Sequence, residues 1–312
     1  MLYGLVIRPL RWPSLDKLEV AHLAAAKRIQ GLPPHTSNPA CLALLGWLSI
    51  EAQLDIQRLI LLWSILCLPW SIIYKEVAVA RLLYHIMDTR GRHSGPLYEM
   101  LCTARKYGLQ DYISNRITEG TGPSQNQWKQ LVKNTVRDRE TTRWQMTTMM
   151  YSKLYIFMDA VLDIEMCVWW RVARAAPVLL HQCKLLVRVL VGEHGLGSNT
   201  GRFSGQGKQC VLCDGHYTET VEHFLFLCSC EAMHQPRVAL WTELEDVMPP
   251  AMRADVMKMT LRARAAFLLS GCHSWVPEWV NLYAKILKYV HRLYQLRTEL
   301  LEALEPDDIS CT

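Results

Sequence analysis

The amino-acid sequence predicts a mainly α-helical fold that carries one small metal-binding module. Apolar residues recur at helical spacing between clear start and stop signals, and candidate strands are scarce. The chain has 312 residues, 50% of them hydrophobic, so it is long enough to bury a substantial core and to form two domains. The module is located by residues 210–228, where three Cys residues and His223 lie close together along the chain.

The first predicted helix has well-defined ends. Ser14 is a good N-cap residue for a helix over 14–30, and Gly31 followed by Pro33 ends it. The other helices that we predict in the first half of the chain are 39–45, 50–68 and one near 97–107.

An uncharged run over 59–74 is the strongest candidate for a membrane segment. It is shorter than the roughly 18 to 20 apolar residues that a span requires, and Pro69 interrupts it. We therefore expect a buried core helix here and no membrane partner.

The most basic stretch of the chain covers residues 128–153. Lys129, Lys133 and Arg137 recur every four residues and so share one helical face, at a spacing that suits a phosphate backbone. An ordinary solvated helix face is an equally good interpretation. Trp144 and the methionines after it are expected to lie in the core. The candidate nucleic-acid-binding residues are Lys129, Lys133, Arg137, Arg139 and Arg143.

Helical patterns continue through the second half of the chain. A long final helix carries an apolar stripe that includes Tyr283, Leu287 and Val290, and Pro306 ends it. The other helices predicted in this half are 166–174, 238–247 and 251–269, and a basic and apolar segment follows Pro177 over 179–191.

The spacing of Cys210, Cys213, His223 and Cys228 is that of a tetrahedral zinc site. Four protein ligands leave no open position for a water or a substrate, so we expect one structural Zn²⁺. Cys230 lies two residues beyond Cys228 and is an alternative fourth ligand. The other interpretation is a set of buried apolar cysteines beside a surface histidine, since free Cys is among the most buried residue types.

The composition of the chain bears on its expected cellular location. The eleven cysteines are odd in number and form no regular framework, which indicates reduced thiols and a cytoplasmic or nuclear location. A formal net charge of +5 permits contact with nucleic acid but does not by itself argue for it. Arg8 interrupts the apolar N-terminal residues and no small-residue cleavage site follows, so no secretory signal is expected.

Several stretches together carry a family resemblance. MLYGLVIRPL (1–10) contains Tyr-Gly, and KRIQGLPPHTSNPACLALLGWLSIEAQLDIQRLILL (27–62) contains Arg-Ile-x-Gly-Leu-Pro, a Thr-x-Asn turn and Leu-Gly before an aliphatic helix. LLVRVLVGEHGLGSNTGRF (185–203) precedes the candidate ligands, and Glu-Thr-x-x-His ends on His223. In this order, they resemble the region downstream of the polymerase core in reverse transcriptases of non-LTR (LINE-type) retrotransposons, including its zinc-binding domain.

One stretch departs from the family pattern. Val189 and Val191 stand where an Arg-Thr-type pair is commoner, which puts in doubt the backbone contacts attributed to that loop. The resemblance implies four segments: a thumb-like helical bundle over 1–89, a helical linker with the basic stretch over 90–184, a zinc-binding CCHC knuckle over 185–235 and C-terminal helices over 236–312.

The resemblance does not extend to polymerase catalysis. That chemistry needs carboxylates, usually in an aromatic-x-Asp-Asp hairpin, that hold two metal ions about 3.5 to 4 Å apart. Asp159 stands alone in a helical context, and Asp307 and Asp308 lack the aromatic residue and the flanking strands. We therefore expect no enzyme activity but a fragment that binds template RNA or target DNA. Phe203 and Tyr217 are candidates for stacking on unpaired bases, and equally for the core.

A second hypothesis comes from a different functional class. The chain would be a zinc-stabilised helical scaffold or protein-interaction module that binds no nucleic acid, and the near-balanced charge around the knuckle favours it. A thumb without its palm presents apolar surface, so self-association through that surface is also expected.

Overall fold

The computed structural model describes residues 6–7, 12–87, 94–200, 208–213, 217–271 and 276–304, and the fold is mainly α, as predicted. Within these ranges, strand-type pairing is limited to two isolated antiparallel bridges, Leu45 with Met166 and Gln209 with Thr218. The α-helices are α1 Trp12–Gln30, α2 Asn38–Leu44, α3 Ile50–Leu66, α4 Ile73–Met87, α5 Pro96–Lys106, α6 Gln110–Thr118, α7 Gln125–Thr148, α8 Tyr155–Ala160, α9 Val168–Ala175, α10 Leu180–Leu190, α11 Gly197–Thr200, α12 Glu231–Val247, α13 Pro250–Lys258, α14 Leu261–Ser270 and α15 Val280–Leu304.

The chain divides into two compact units. Unit 1 comprises Met1–Ala24 and Leu48–Met146, and unit 2 comprises Ala25–Trp47 and Thr147–Thr312. Each unit therefore contains two separate stretches of the sequence. The four-segment division drawn from the sequence stays a prediction.

The core of unit 1 is built on a pair of stacked indoles. The rings of Trp63 in α3 and Trp128 in α7 lie 4.3 Å apart with an interplanar angle of 16°, and both side chains are fully buried. Trp128 Nε1 donates to the carbonyl of Leu59 at 2.9 Å, so the polar edge of the ring is satisfied. Gly122 approaches the stack with a φ of 142°, and a Cβ there would lie 2.7 Å from Trp63 Cη2. This close approach explains a glycine at that position.

The predicted core helix over 59–74 is shorter and less buried than expected. Helix α3 ends at Leu66, and a turn that contains Pro69 separates it from α4. Beyond that turn, Ile73 is 66% and Tyr74 is 75% exposed, so the prediction of a single buried helix was wrong. No helix in the described part of the chain has both the length and the apolar character needed to cross a bilayer.

Helix α7 carries the basic stretch and buries one stripe of side chains. Trp128, Val132 and Val136 recur every four residues and are fully buried, and Trp144 continues the stripe, as predicted. The methionines after Trp144 are exposed instead of buried. Met146 is rotated by about 200° from Trp144 on the helix, and the next two methionines follow the helix end.

Unit 2 is held together by the final helix. Helix α15 packs against α12 and α10, and its buried residues include Tyr283, Leu287 and Val290, as the apolar stripe predicts. The indole nitrogen of Trp169 in α9 donates to the carbonyl of Leu269 at 2.7 Å.

One predicted helix of unit 2 is divided in two. The sequence predicts a single helix over 251–269, but α13 ends at Lys258 and α14 begins at Leu261. Thr260 is the reason, because its side chain accepts a hydrogen bond from the Ala263 N–H at 3.2 Å and caps α14.

Candidate metal centre

A short antiparallel pairing positions the first two cysteines. Cys210 N–H donates to the carbonyl of Tyr217 at 2.8 Å, and Glu219 N–H donates to the carbonyl of Lys208 at 2.9 Å. Cys210 and Cys213 lie at the end of this pairing, and both are buried. The connecting residues Asp214, Gly215 and His216 lie outside the described residues.

A π-helical turn positions the other two candidate ligands. The segment His223–Leu227 is a π-helix, and Cys228 N–H donates to the carbonyl of His223 at 2.9 Å. In a regular α-helix, residues five apart point about 140° away from each other. The wider π turn brings His223 and Cys228 onto one side. Single π turns of this kind occur frequently at functional sites.

The four predicted ligands come together at one point. The ligand atoms of Cys210, Cys213, His223 and Cys228 all lie within 4.8 Å of one another, and all four residues are buried. Cys210 Sγ lies 3.9 Å from Cys228 Sγ, and Cys213 Sγ lies 3.5 Å from His223 Nε2. A tetrahedral centre has edges of about 3.8 Å between two sulfurs and about 3.6 Å between sulfur and nitrogen. The cluster is therefore positioned to hold one metal ion.

The thiols of Cys210 and Cys228 have pKa values that are shifted in opposite directions. The hydrogen bond to Cys228 raises the pKa of the Cys210 thiol to about 12, and burial acts in the same direction. The same hydrogen bond lowers the pKa of Cys228, helped by the backbone N–H of Cys230 and by the charge of Arg237, while burial opposes them. Cys228 is therefore the sulfur that the surroundings favour as a thiolate, the form that binds metal.

Cys230 has a different place from Cys228. It is partly buried against the cluster but does not belong to the four residues whose ligand atoms converge. Its backbone forms the N-cap of α12, and its carbonyl accepts from Met233 N–H at 2.9 Å. The structure therefore favours Cys228 over Cys230 as the fourth donor.

Arg237 supports the cluster from α12. This side chain is 6% exposed and its Nη2 donates to the carbonyl of Cys228 at 2.8 Å. Tyr289 supports the π turn from α15, because its hydroxyl donates to the carbonyl of Leu225 at 2.6 Å. Sequence reasoning missed both residues, since nothing near the ligands in the sequence points to them.

Glu219 and Thr220 hold the segment that leads into His223. The Thr220 hydroxyl accepts from His223 N–H at 3.1 Å. The Glu219 carboxylate is 3% exposed and accepts from Gly197 N–H at 2.6 Å and from Arg297 Nε at 2.5 Å. The Glu-Thr-x-x-His motif thus consists of a buried ion-pair partner, a cap and a ligand candidate.

The predicted nucleic-acid-binding residues lie along α7, but their surroundings differ. Lys129 and Lys133 are exposed, and Arg137 is half-buried. Arg139 donates to the carbonyl of Lys106, and Arg143 pairs with Glu51 and Glu140. The two lysines are therefore the members of the set whose charge is most open to solvent.

The two predicted stacking residues differ in position. Tyr217 is 63% exposed, and its ring stacks at 5.9 Å on the ring of His223. It therefore presents an open aromatic face beside the metal centre. Phe203 lies outside the described residues, as do Asp307 and Asp308.

Three comparisons complete the description of the site. No protein-family model, no curated protein and no solved structure matches this chain.

Proposed function

We propose that the chain binds one structural Zn²⁺ in unit 2 and contacts RNA or DNA through the basic face of α7. The observation that carries the metal part is the convergence of four buried donors at tetrahedral edge lengths. Three sulfurs and one imidazole in tetrahedral geometry are a donor set that is typical of structural zinc sites. Cys210, Cys213, His223 and Cys228 would hold the ion.

The zinc centre has a structural role in this proposal. Its four donors are buried and complete a tetrahedron, which leaves no place for a reacting water. Bound zinc would supply folding energy to a segment whose regular pairing is one isolated bridge and one π turn. We therefore propose a binding protein without enzyme activity. The nine described cysteines are not in disulfides, which agrees with a reducing cytoplasmic or nuclear compartment.

The nucleic-acid part rests on exposed charge and an exposed ring. Lys129 and Lys133 are one helical turn apart on the solvent side of α7 and suit successive phosphates. Tyr217 offers an aromatic face of the kind on which unpaired bases stack. The resemblance to the thumb and zinc-binding region of non-LTR reverse transcriptases agrees with this assignment and favours template RNA or target DNA as the ligand.

A specific observation supports the alternative, a scaffold that binds no nucleic acid. Arg139 and Arg143 use their charge in contacts within unit 1, with Lys106 in one case and with Glu51 and Glu140 in the other. Two of the five candidate phosphate contacts are thus already occupied. The scaffold hypothesis predicts zinc binding without salt-dependent affinity for RNA.

One experiment separates the two functions. The purified chain is assayed for zinc content and titrated with a structured RNA and with duplex DNA at two salt concentrations, before and after chelation. Affinity that falls steeply with salt, in a protein with one zinc, supports the nucleic-acid proposal because neutralised phosphates release counterions. One zinc with no measurable RNA or DNA affinity supports the scaffold. Absence of bound zinc would contradict the metal assignment.

A further inference from the structure

Helix α4 of unit 1 carries apolar residues on its exposed face as well as on its buried face. Its inward face is buried, and the residues there are Lys75, Ala78, Val79, Leu82 and His85. Its outward face is exposed but also largely apolar, and the residues along its centre are Ile73, Val77, Ala80, Tyr84 and Met87. Ile73 is 66%, Val77 55%, Tyr84 48% and Met87 77% exposed. Contiguous exposed apolar surface of this kind marks an interaction site.

The outward residues follow the spacing of a coiled-coil seam. Steps of four, three, four and three residues separate Ile73, Val77, Ala80, Tyr84 and Met87. These steps correspond to positions d, a, d, a and d of successive heptads. The buried residues occupy the b, c and f positions, so the whole a/d side of the helix faces solvent. A seam with this period matches another helix better than it matches a flat surface.

Two charged residues flank the seam. Both residues are exposed. Glu76 directly precedes Val77 and so occupies position g, and Arg81 directly follows Ala80 and so occupies position e. In a parallel pair of helices, a g residue faces the e residue five positions further along in the partner helix. Two copies of α4 in parallel would therefore place Glu76 of each copy opposite Arg81 of the other.

We propose that α4 is a self-association surface on which a second copy of this chain docks through its own α4, in a parallel two-stranded arrangement. Charge complementarity favours a second copy as the occupant, since two copies of α4 in this register form the Glu76–Arg81 pair twice. The proposal locates the self-association expected from the sequence. It depends on neither the metal nor the nucleic acid.

The length of α4 predicts a weak dimer. A helix of 15 residues is about 22 Å long, which limits the buried area to the range of transient interfaces. The neighbouring Trp70, 55% exposed, and Tyr74, 75% exposed, extend the apolar surface at the N-terminal end of the helix. The dimer should therefore form and dissociate within the concentration range of sedimentation experiments.

The first test places a charge in the seam. The full chain and its Val77→Glu variant are compared by sedimentation velocity over a range of concentrations, with circular dichroism as a check on folding. Val20→Glu is the matched control, because Val20 is 67% exposed on α1, outside the seam. We expect wild type and Val20→Glu to form the same dimer and Val77→Glu to remain monomeric. A wild-type chain that stays monomeric up to its solubility limit would overturn the proposal.

The second test identifies the partner by charge exchange. Glu76→Arg alone and Arg81→Glu alone each create two like-charge contacts, and each should weaken the dimer by at least about tenfold. The double variant restores both pairs, and a mixture of the two single variants should form a heterodimer in preference to either homodimer. Equal dimer affinity in all of these proteins would refute pairing of α4 with itself, because an unrelated contact would not respond to the exchange.

Discussion

Arg297 and Glu219, 78 residues apart in the chain, form a buried two-point ion pair. Arg297 Nε lies 2.5 Å from Glu219 Oε1, and Arg297 Nη2 lies 2.7 Å from Oε2. The same guanidinium donates to the carbonyl of Gly195 at 2.9 Å. The final helix is thereby fastened to the segment that carries the metal ligands, four residues before His223.

Loss of Arg297 should destabilise unit 2 strongly. Arg297→Met leaves the buried Glu219 carboxylate without its counter-ion, which costs about 3 to 5 kcal/mol. The double variant Arg297→Met with Glu219→Gln should recover part of the lost free energy of unfolding, because it leaves no unpaired carboxylate buried at position 219. Arg292→Met is the control, since Arg292 pairs with Glu299 on the surface of the same helix and should cost less than about 1 kcal/mol. Denaturant unfolding of the metal-loaded protein measures all four proteins, and equal losses for Arg297→Met and Arg292→Met would contradict the assignment.

Metal content should depend on Cys228 and not on Cys230. Cys228→Ser removes a converging donor, so the protein should lose stoichiometric metal and the region around 208–230 should unfold locally. Cys213→Ser and His223→Ala should behave in the same way. Cys230→Ser should keep one metal ion, because the Cys230 thiol is not among the four. Elemental analysis with hydrogen exchange measures both effects, and metal loss in Cys230→Ser alone would reverse the choice of fourth ligand.

His194 should make unit 2 less stable in acid. Burial, aided by the charge of Arg297, lowers the pKa of His194 from 6.5 to about 4. Between these two pH values the unfolded chain takes up a proton that the folded chain does not. The contribution of His194 to the free energy of unfolding is therefore present above pH 6.5 and is lost as the pH falls towards 4. The shift corresponds to about 3 kcal/mol.

The test of His194 compares unfolding free energies at pH 7 and pH 4.5. In the wild type, His194 Nδ1 accepts a hydrogen bond from the Leu196 N–H at 3.3 Å. The His194→Asn variant keeps an acceptor for this N–H but has no side chain that titrates between pH 4.5 and pH 7. Its stability should therefore fall less between the two pH values than that of wild type. His234→Asn, at an exposed position, controls for the loss of a histidine. If the wild type and His194→Asn lose the same free energy, His194 does not contribute to the acid sensitivity.

The exposed lysines of α7 should set the salt dependence of RNA affinity. Lys129→Glu with Lys133→Glu removes two phosphate contacts and should lower the slope of log affinity against log salt by about 1.4 for single strands. Lys17→Glu with Lys258→Glu changes the net charge equally at two exposed positions outside α7 and should leave the slope nearly unchanged. Filter binding or fluorescence anisotropy gives the slopes, and equal slopes in both double variants would remove α7 from the proposed interface.

Gly122 should be required by the stacked indoles of unit 1. Gly122→Ala places a Cβ 2.7 Å from the Trp63 ring at a φ of 142°, so we expect a loss of about 2 to 3 kcal/mol. Gly120→Ala has a positive φ of 71° but no neighbour within 4 Å, so it should cost only about 1 kcal/mol. The difference between the two unfolding free energies isolates the clash. Equal costs would show that backbone strain alone explains Gly122.

The sequence predicted features that depend on local spacing. The C-terminal end of α1, the position of α2, the stripe of α15 and the four converging donors all follow from residues close together in the chain. The predicted start of α1 was wrong, because the helix begins at Trp12 and Ser14 lies inside its first turn instead of capping it. The split between α13 and α14 was missed although Thr260 is a recognisable cap, because the apolar pattern continues across it. The exposed face of α4 was missed because an apolar run of this length predicts burial and says nothing about which face remains open.

The sequence did not predict contacts between residues that are far apart in the chain. Nothing near Glu219 indicates Arg297, and nothing near Cys228 indicates Arg237 or Tyr289. The π turn has one signal, the gap of four residues between His223 and Cys228, but an α-helix that ends before Cys228 satisfies the same spacing. Only the fold distinguishes them.

Arg237 also fixes the electrical balance of the metal centre. Three thiolates and a divalent cation together carry one negative charge, and the single positive charge of Arg237, buried beside Cys228, cancels it. The loaded centre together with Arg237 would then add almost no net charge to unit 2. Chelation at neutral pH returns protons to the thiols and leaves the charge of Arg237 uncompensated, so a polyanion affinity that falls after chelation would report a lost shape and not a lost attraction.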